Sequence, residues 1–183
     1  MKVISRLTFG LMILSLAPAG LAEQPDRGTE GSFGFHATVE GEQFVARFGD
    51  FSVVPRLSSE RLPIGFAVDI AMADIDSGNT DRDAEMQLTE WFHTAAHPVA
   101  SFHTQEVELD RQGVHVAKGK LTIKGMGRLI EVPFSWQSGP RQFRMTGEVT
   151  LDRRWFGVGP EDESSVAAEV TVFFDLAWDA DVQ

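Results

Sequence analysis

Four things are missing or scarce in this sequence of 183 residues: cysteine, tyrosine, positive charge and long apolar runs. Without cysteine, the chain has no disulfide, no thiol nucleophile, no thiolate metal site and no lipid-modified N-terminal cysteine. It carries 16 Lys and Arg against 27 Asp and Glu, a formal net charge of -11. That balance argues against nucleic acid as a partner, because phosphate contacts need clustered basic residues, and it disfavours docking on anionic membranes.

What is present is typical of a globular domain. Hydrophobic residues make up 43% of the chain and charged residues 23%, and there are 14 Phe but no Tyr. A chain of this length suits one domain and can bury roughly 70% of the surface that its unfolded form exposes. The sequence therefore predicts one acidic domain with a phenylalanine-rich interior.

The N-terminus is typical of a secretory signal. Lys2 and Arg6 precede the apolar run Leu7–Leu16, and small residues lead to Ala22. The run is shorter than the roughly 18 to 20 apolar residues that span a bilayer. We predict a signal peptide over residues 1–22, cut after Ala22 or alternatively after Ala19. An uncleaved membrane anchor is the other interpretation.

The mature chain would be a single domain over residues 23–183. Without Lys2 and Arg6 it keeps 14 basic residues against 27 acidic ones, a formal charge of −13. No later stretch is long and apolar enough for a membrane helix, so we expect no stable membrane insertion after cleavage. In a Gram-negative host the product would be periplasmic. The sequence leaves the oligomeric state open, with a homodimer as one option.

Most of the chain alternates apolar and polar residues with a period of two. The longest example runs from Val166 to Trp178, and this period is typical of a half-buried strand. Similar alternation occupies residues 33–39, 44–48, 66–72, 107–109, 121–123, 130–136 and 143–151. Glycine-containing turns separate these segments. One segment differs, because residues 82–92 follow the candidate caps Asn79, Thr80 and Asp81 and predict a short helix.

Eight or so antiparallel strands with almost no helix must bury one face. A β-sandwich and a closed up-and-down barrel both do so. A barrel of that size either fills its interior with side chains or holds one elongated ligand. The alternation alone leaves both choices open.

Five motifs, in order, resemble the YceI-like family over nearly all of residues 33–178. They are Ser77-Gly78-Asn79-Thr80-Asp81-Arg82-Asp83; Trp91-Phe92-His93 with Ala96-His97-Pro98-Val99-Ala100-Ser101-Phe102; Gly119-Lys120-Leu121-Thr122-Ile123-Lys124-Gly125; Val132-Pro133-Phe134; and Arg153 with Trp155-Phe156-Gly157-Val158-Gly159. The chain departs from the family pattern at His93, at Ala96-His97 and in the turn Lys124–Gly127. These departures concern the rim of the pocket and therefore the head group.

The resemblance implies an extended, lipocalin-like, antiparallel up-and-down β-barrel of about eight strands. It also implies an exported, non-catalytic protein that binds, transports or stores an apolar isoprenoid lipid, either a polyisoprenoid or the tail of a quinone. Such a ligand needs a long apolar tunnel, and burial is worth roughly 25 cal/mol per Å².

We expect apolar side chains of the strands, and a helix that caps one end, to bind the ligand. The candidates are Phe35, Phe44, Phe48, Phe66, Val68, Ile70, Met86, Leu88, Trp91, Phe92, Phe102, Leu121, Ile123, Phe134, Trp136, Met145, Val172 and Phe174. The alternative is an exported interaction or stress-response module with a fully packed barrel and no ligand, since apolar alternation serves a packed core equally well.

The sequence indicates no catalytic residues and no metal site. It has no G-x-S-x-G elbow, no H-E-x-x-H and no P-loop. His93, His97 and His103 are close in sequence, but Pro98 disfavours a helix that would bring the first two onto one face. A histidine-dependent metal protein or hydrolase is therefore the third hypothesis. No cofactor is expected besides a bound isoprenoid lipid or quinone.

Overall fold

The computed structural model describes residues 29–163 and 165–179, so the predicted signal peptide, residues 1–22, lies outside the described residues. Ten strands, one helix and one 3-10 turn make up this part of the chain. They are β1 Thr29–Val39, β2 Glu42–Phe48, β3 Phe51–Leu57, β4 Pro63–Ala71, β5 Ile75–Asp76, α1 Thr80–Met86, β6 Val99–Leu109, β7 His115–Ile123, β8 Met126–Ser138, β9 Gln142–Asp152, the 3-10 turn Arg153–Phe156 and β10 Glu169–Asp179.

All strands belong to one curled antiparallel sheet in the order β3-β4-β6-β7-β8-β9-β10-β1-β2-β5. The two edge strands of that order, β3 and β5, continue β2 and β4 along the chain. Only Gly49 and Asp50 separate β2 from β3, and a short link separates β4 from β5. The Gly49 amide donates to the Asp74 carbonyl at 3.0 Å, and the Ala71 amide donates to the Asp50 carbonyl at 2.9 Å.

β2–β3 and β4–β5 are therefore two long, bent strands that run side by side. Counted this way, eight strands each pair with the next, and β10 pairs with β1. The predicted lipocalin-like, up-and-down antiparallel barrel of about eight strands is confirmed. The bend at Gly49 and Asp50 was not predicted.

Tight turns connect several neighbouring strands, as the glycines predict. Glu40 and Gly41 between β1 and β2 have φ values of 51° and 84°, and Lys124 and Gly125 between β7 and β8 have 50° and 75°. Two successive residues with positive φ give the type I′ turn, whose twist matches that of a hairpin.

The predicted helix is present but shorter than residues 82–92. The Asn79 side chain caps it by accepting from the amides of Asp81 and Arg82, both at 3.1 Å. The helix ends at Met86, and the Phe92 amide returns to the Met86 carbonyl at 3.0 Å. Residues 87–97 are turns, so Trp91 and Phe92 reach the barrel from non-helical backbone. Within the described residues, no helix is long and apolar enough to cross a membrane.

Candidate functional site

The barrel encloses a cavity of about 680 Å³. Its wall is formed by the inward side chains of β1, β2, β4 and β6 to β10, and nearly all of them are apolar. Its polar side chains gather at one end, which we call the mouth. The mouth is bordered by α1, by residues 87–97 and by residues 153–163, 165 and 166.

All but two of the predicted ligand-binding residues line this cavity. Those that do are Phe35, Phe44, Phe48, Phe66, Val68, Ile70, Met86, Trp91, Phe92, Phe102, Leu121, Ile123, Phe134, Met145, Val172 and Phe174. The structure thus brings together residues from most of the strands and from the helical region.

Leu88 and Trp136 lie elsewhere. Leu88 follows the end of α1 and is 60% exposed, because the helix stops before it and the turn directs it outward. Trp136 faces inward but lies beyond the closed end of the cavity, where it stacks on Phe143 with ring centroids 5.2 Å apart.

The sequence analysis missed further apolar lining residues. They are Phe33, Ala37, Val39, Met72, Ala100, Ala117, Ile130, Val132, Val149, Leu151, Phe156, Val158, Pro160, Val166 and Val170. Many of them continue the alternation of the predicted strands, so the same pattern could have identified them. The alanines differ, because a small residue on an inward face carries no signal of its own.

Lys124 joins the two sides of the mouth. Its Nζ donates to the Glu90 carbonyl at 3.0 Å and to the Gly157 carbonyl at 2.6 Å. The Gly159 amide also donates to the Glu90 carbonyl at 3.0 Å. Desolvation lowers the pKa of Lys124 from its usual value, while the charge of Glu90 opposes that shift. The two segments over the mouth are thus fastened to each other.

Trp91 packs tightly within the same region. A Cβ atom on Gly159 would lie 2.6 Å from Cζ3 of its indole ring, so only glycine leaves room for the ring there. Gly159 has a φ of 70°, which also favours glycine. The closing glycine of the motif Arg153 to Gly159 therefore seats the indole at the mouth.

Arg153 fixes the other border of the mouth. Its side chain is only 5% exposed and donates to five backbone carbonyls. The acceptors are Val158 and Val166 at 2.8 Å, Ala167 at 3.0 Å, Asp162 at 3.1 Å and Pro160. A guanidinium can satisfy this many acceptors because it carries five N–H donors in a planar fork. Arg153 thus holds these five backbone carbonyls around one guanidinium.

Arg82 and Asp83 both hold the turn before α1. The Arg82 guanidinium lies 4.0 Å from the ring centroid of Phe44 and donates to the carbonyl of Ser77 at 2.9 Å. Asp83 accepts from the Ser77 amide at 2.9 Å. Each contact supports the turn structurally and keeps Phe44 under a cation at the rim of the cavity.

The three histidines do not form a metal site. The rings of His93 and His97 have centroids 5.6 Å apart, and among the described residues no group of three or more His, Asp or Glu could hold a metal ion. His97 instead packs against the hairpin turn, since a Cβ on Gly125 would lie 2.9 Å from its Cε1.

Comparison with known proteins gives a family and a fold. The family model described as the YceI-like domain matches residues 27–178. Among solved structures, BcnA of Burkholderia cenocepacia is 22% identical with a TM-score of 0.75, over 80% of this chain and 95% of that one. A YCEI protein of Campylobacter jejuni is 17% identical with a TM-score of 0.65, over 73% of this chain and 83% of that one.

A third structure is described as a polyisoprenoid binding domain from Saccharophagus degradans. It is 16% identical with a TM-score of 0.64, over 82% of this chain and 94% of that one. At these identities the three structures establish the fold alone. No curated protein matches the sequence significantly.

Proposed function

Because the chain belongs to the YceI-like family, we propose that it binds an apolar isoprenoid lipid inside the barrel and carries or stores it without catalysis. The ligand would be a polyisoprenoid or the tail of a quinone. The Saccharophagus degradans relative, described as polyisoprenoid-binding, supports this ligand class. The observation that carries the proposal is the apolar cavity of about 680 Å³.

The size of the cavity argues for an occupant. Pockets for organic ligands measure about 300 to 1,000 Å³, and the lining is mostly apolar with few polar groups. The cavity opens at its mouth, so water would contact its apolar wall in the absence of a ligand. A bound hydrocarbon removes that wall from water, which is favourable by roughly 25 cal/mol per Å² of apolar area.

The same observation weighs against the second candidate function. An exported interaction or stress-response module with a fully packed barrel requires side chains to fill the interior. Three alanines, Ala37, Ala100 and Ala117, line the cavity at positions where larger side chains would fill it.

We also propose that the protein is exported and works in the periplasm of a Gram-negative host. The basic start, the short apolar run and Ala22 support this. Cell fractionation with N-terminal sequencing of the mature protein tests it, and we expect the mature chain to begin at Glu23. Retention of full-length protein in the cytoplasm contradicts it.

Lipid analysis of the natively purified protein tests the binding proposal. We expect native mass spectrometry to detect added mass, and solvent extraction to release an isoprenoid lipid. Val172→Trp, which fills the cavity, should abolish the added mass while circular dichroism still reports a folded barrel. Val54→Trp is the matched control, since Val54 is 49% exposed on the outer face.

A protein that purifies without lipid, and gains neither mass nor thermal stability with polyprenyl ligands, contradicts the proposal. Loss of lipid in both tryptophan variants would also contradict it, because binding would then not depend on the interior.

A further inference from the structure

The cavity ends within one inward step on three neighbouring strands. Inward side chains line it up to Phe134 on β8, Met145 on β9 and Phe174 on β10. Phe134 and Phe174 each pair with Gly147 and so share a level, while Met145 lies one step further and pairs with Trp136 and Leu176. The next inward residues are Trp136, Phe143 and Leu176, and none of them lines the cavity. The side-chain alternation continues unchanged across this level, so the end of the cavity is set by the size of the residues.

Three aromatic side chains, Trp136, Phe143 and Trp178, fill the barrel beyond that level, and we call them the plug. Trp136 stacks on Phe143 with centroids 5.2 Å apart, and Trp136 and Trp178 have centroids 5.4 Å apart. Phe143 is 2% exposed and Trp178 is 5% exposed. Phe66, which lines the cavity, contacts the plug through Trp136 at 6.1 Å.

The plug spans two successive inward layers, because Trp136 pairs with Met145 whereas Phe143 and Trp178 pair with each other one step further out. On its outer side, Arg61 holds its guanidinium 4.6 Å from the Phe143 ring centroid, and its carbonyl accepts from Nε1 of Trp136 at 3.3 Å. Trp136 is half-buried, so it borders solvent as well as the interior. Trp136 therefore forms the first layer behind the closed end of the cavity, and Phe143 and Trp178 form the second.

The plug contains one unsatisfied polar atom. The buried Nε1 of Trp178 has no hydrogen-bond partner in the part of the chain that the structure describes. An unsatisfied buried donor costs about 1–3 kcal/mol, and an aliphatic or phenyl side chain would fill the same layer without it.

We propose that the plug sets the maximum length of the ligand tail, with Trp136 as the specificity-determining residue. This inference rests on the proposed function. The head of the ligand stays at the polar mouth, and the end of the tail stops against Phe66, Phe134 and the indole of Trp136. One inward layer corresponds to two residues of strand, about 7 Å, which is longer than one isoprene repeat. Opening the plug therefore admits at least one more unit.

A length series of all-trans prenyl alcohols tests the plug. Each alcohol is added to delipidated wild type and to Trp136→Leu, and binding is measured by native mass spectrometry and by thermal shift. We expect affinity in wild type to rise with length and then fall by roughly tenfold or more beyond a cut-off. Trp136→Leu should move that cut-off to longer alcohols by one unit or more. Leu129→Ala, which is 71% exposed on the outer face of β8, should leave it unchanged.

Val132→Phe makes the cavity shorter instead of longer. It also tests the proposal if Trp136→Leu does not fold. It narrows the cavity nearer the mouth, so its cut-off should move to shorter alcohols. If wild type binds no alcohol of any length, the proposed function and the plug inference both fall. If wild type has a cut-off that Trp136→Leu and Val132→Phe leave in place, the plug inference alone is wrong.

Discussion

At the scale of single residues, two glycines make room for aromatic rings in the cavity wall. A Cβ on Gly147 would lie 2.5 Å from Cζ of Phe174, and one on Gly119 would lie 2.8 Å from Cζ of Phe102. Glycine inside a strand often marks a bulge or a tight bend. A register shift does occur beside Gly119, between Thr104 and Glu106, whereas Gly147 pairs in register. The missing side chain at Gly147 therefore leaves room for the ring of Phe174.

Gly147→Ala should lower the free energy of unfolding by about 1–3 kcal/mol, because the added methyl overpacks the interior. Besides the ring, it would meet the Pro133 carbonyl oxygen at 2.6 Å, which is backbone and cannot move aside. Urea denaturation measures the change. Gly65→Ala is the matched control, since its Cβ would meet only the flexible guanidinium of Arg56. Equal losses in the two variants would contradict this account.

His115 gives the barrel a small pH dependence. Its ring stacks on Phe134 at 5.2 Å, and desolvation lowers its pKa from 6.5. The unfolded chain therefore binds the proton more readily. Neutral His115 thus contributes to the free energy of unfolding above pH 6.5, and this contribution is lost as the pH falls toward the lowered pKa of the folded state. We expect the urea midpoint of wild type to fall more between about pH 7.5 and 5 than that of His115→Gln.

At the scale of elements, the mouth is made by two irregular segments and one hairpin. Residues 87–97 and 153–163 carry little regular structure, and the β7–β8 turn reaches both through Lys124. The sequence predicted a helix to residue 92, because Trp91 and Phe92 follow the helical pattern. The chain instead turns back at Met86, since Phe92 donates to its carbonyl and His93 adopts a φ of 50°.

Lys124→Met should speed the release of a bound lipid by roughly tenfold or more. Hydrogen bonds to a charged group are worth about 1.5–3 kcal/mol, and opening the mouth must break both bonds of this ammonium. Stopped-flow displacement of a fluorescent prenyl probe measures the rate. Lys120→Met, on the same hairpin, should release the probe at the wild-type rate. Unchanged release in Lys124→Met would mean that the ligand leaves without parting these segments.

At the scale of the whole molecule, periodicity predicted the strands and which side chains face inward, and the family resemblance predicted the barrel. Period two applies equally to Phe134 and Trp136, so it could not indicate where the cavity stops. That boundary depends on the packing of Trp136, Phe143 and Trp178 across three strands. Likewise, the bend at Gly49 and Asp50 depends on pairing with β5, which is distant in sequence. Which side chains face inward follows from the local sequence, whereas the shape of the interior depends on contacts between residues that are distant in sequence.

A hollow barrel should depend on its ligand for part of its stability. A ligand that binds only the folded state adds RT ln(1 + [L]/Kd), about 2.7 kcal/mol at a hundredfold excess over Kd. For a domain of this size that corresponds to a Tm difference of about 5–10 °C. We therefore expect solvent extraction of bound lipid to lower the Tm by this amount, and re-addition of the extract to restore it.

The cavity-filling variant separates this coupling from damage during extraction. Val172→Trp replaces ligand contacts with its own indole, so its Tm should be insensitive to extraction and to added lipid. An equal fall in that variant would trace the effect to the solvent. If wild type loses its lipid and keeps its Tm, the interior must close without a ligand, for example by rotation of Phe174 and Phe102 into the space. The stability of the barrel would then be independent of its cargo.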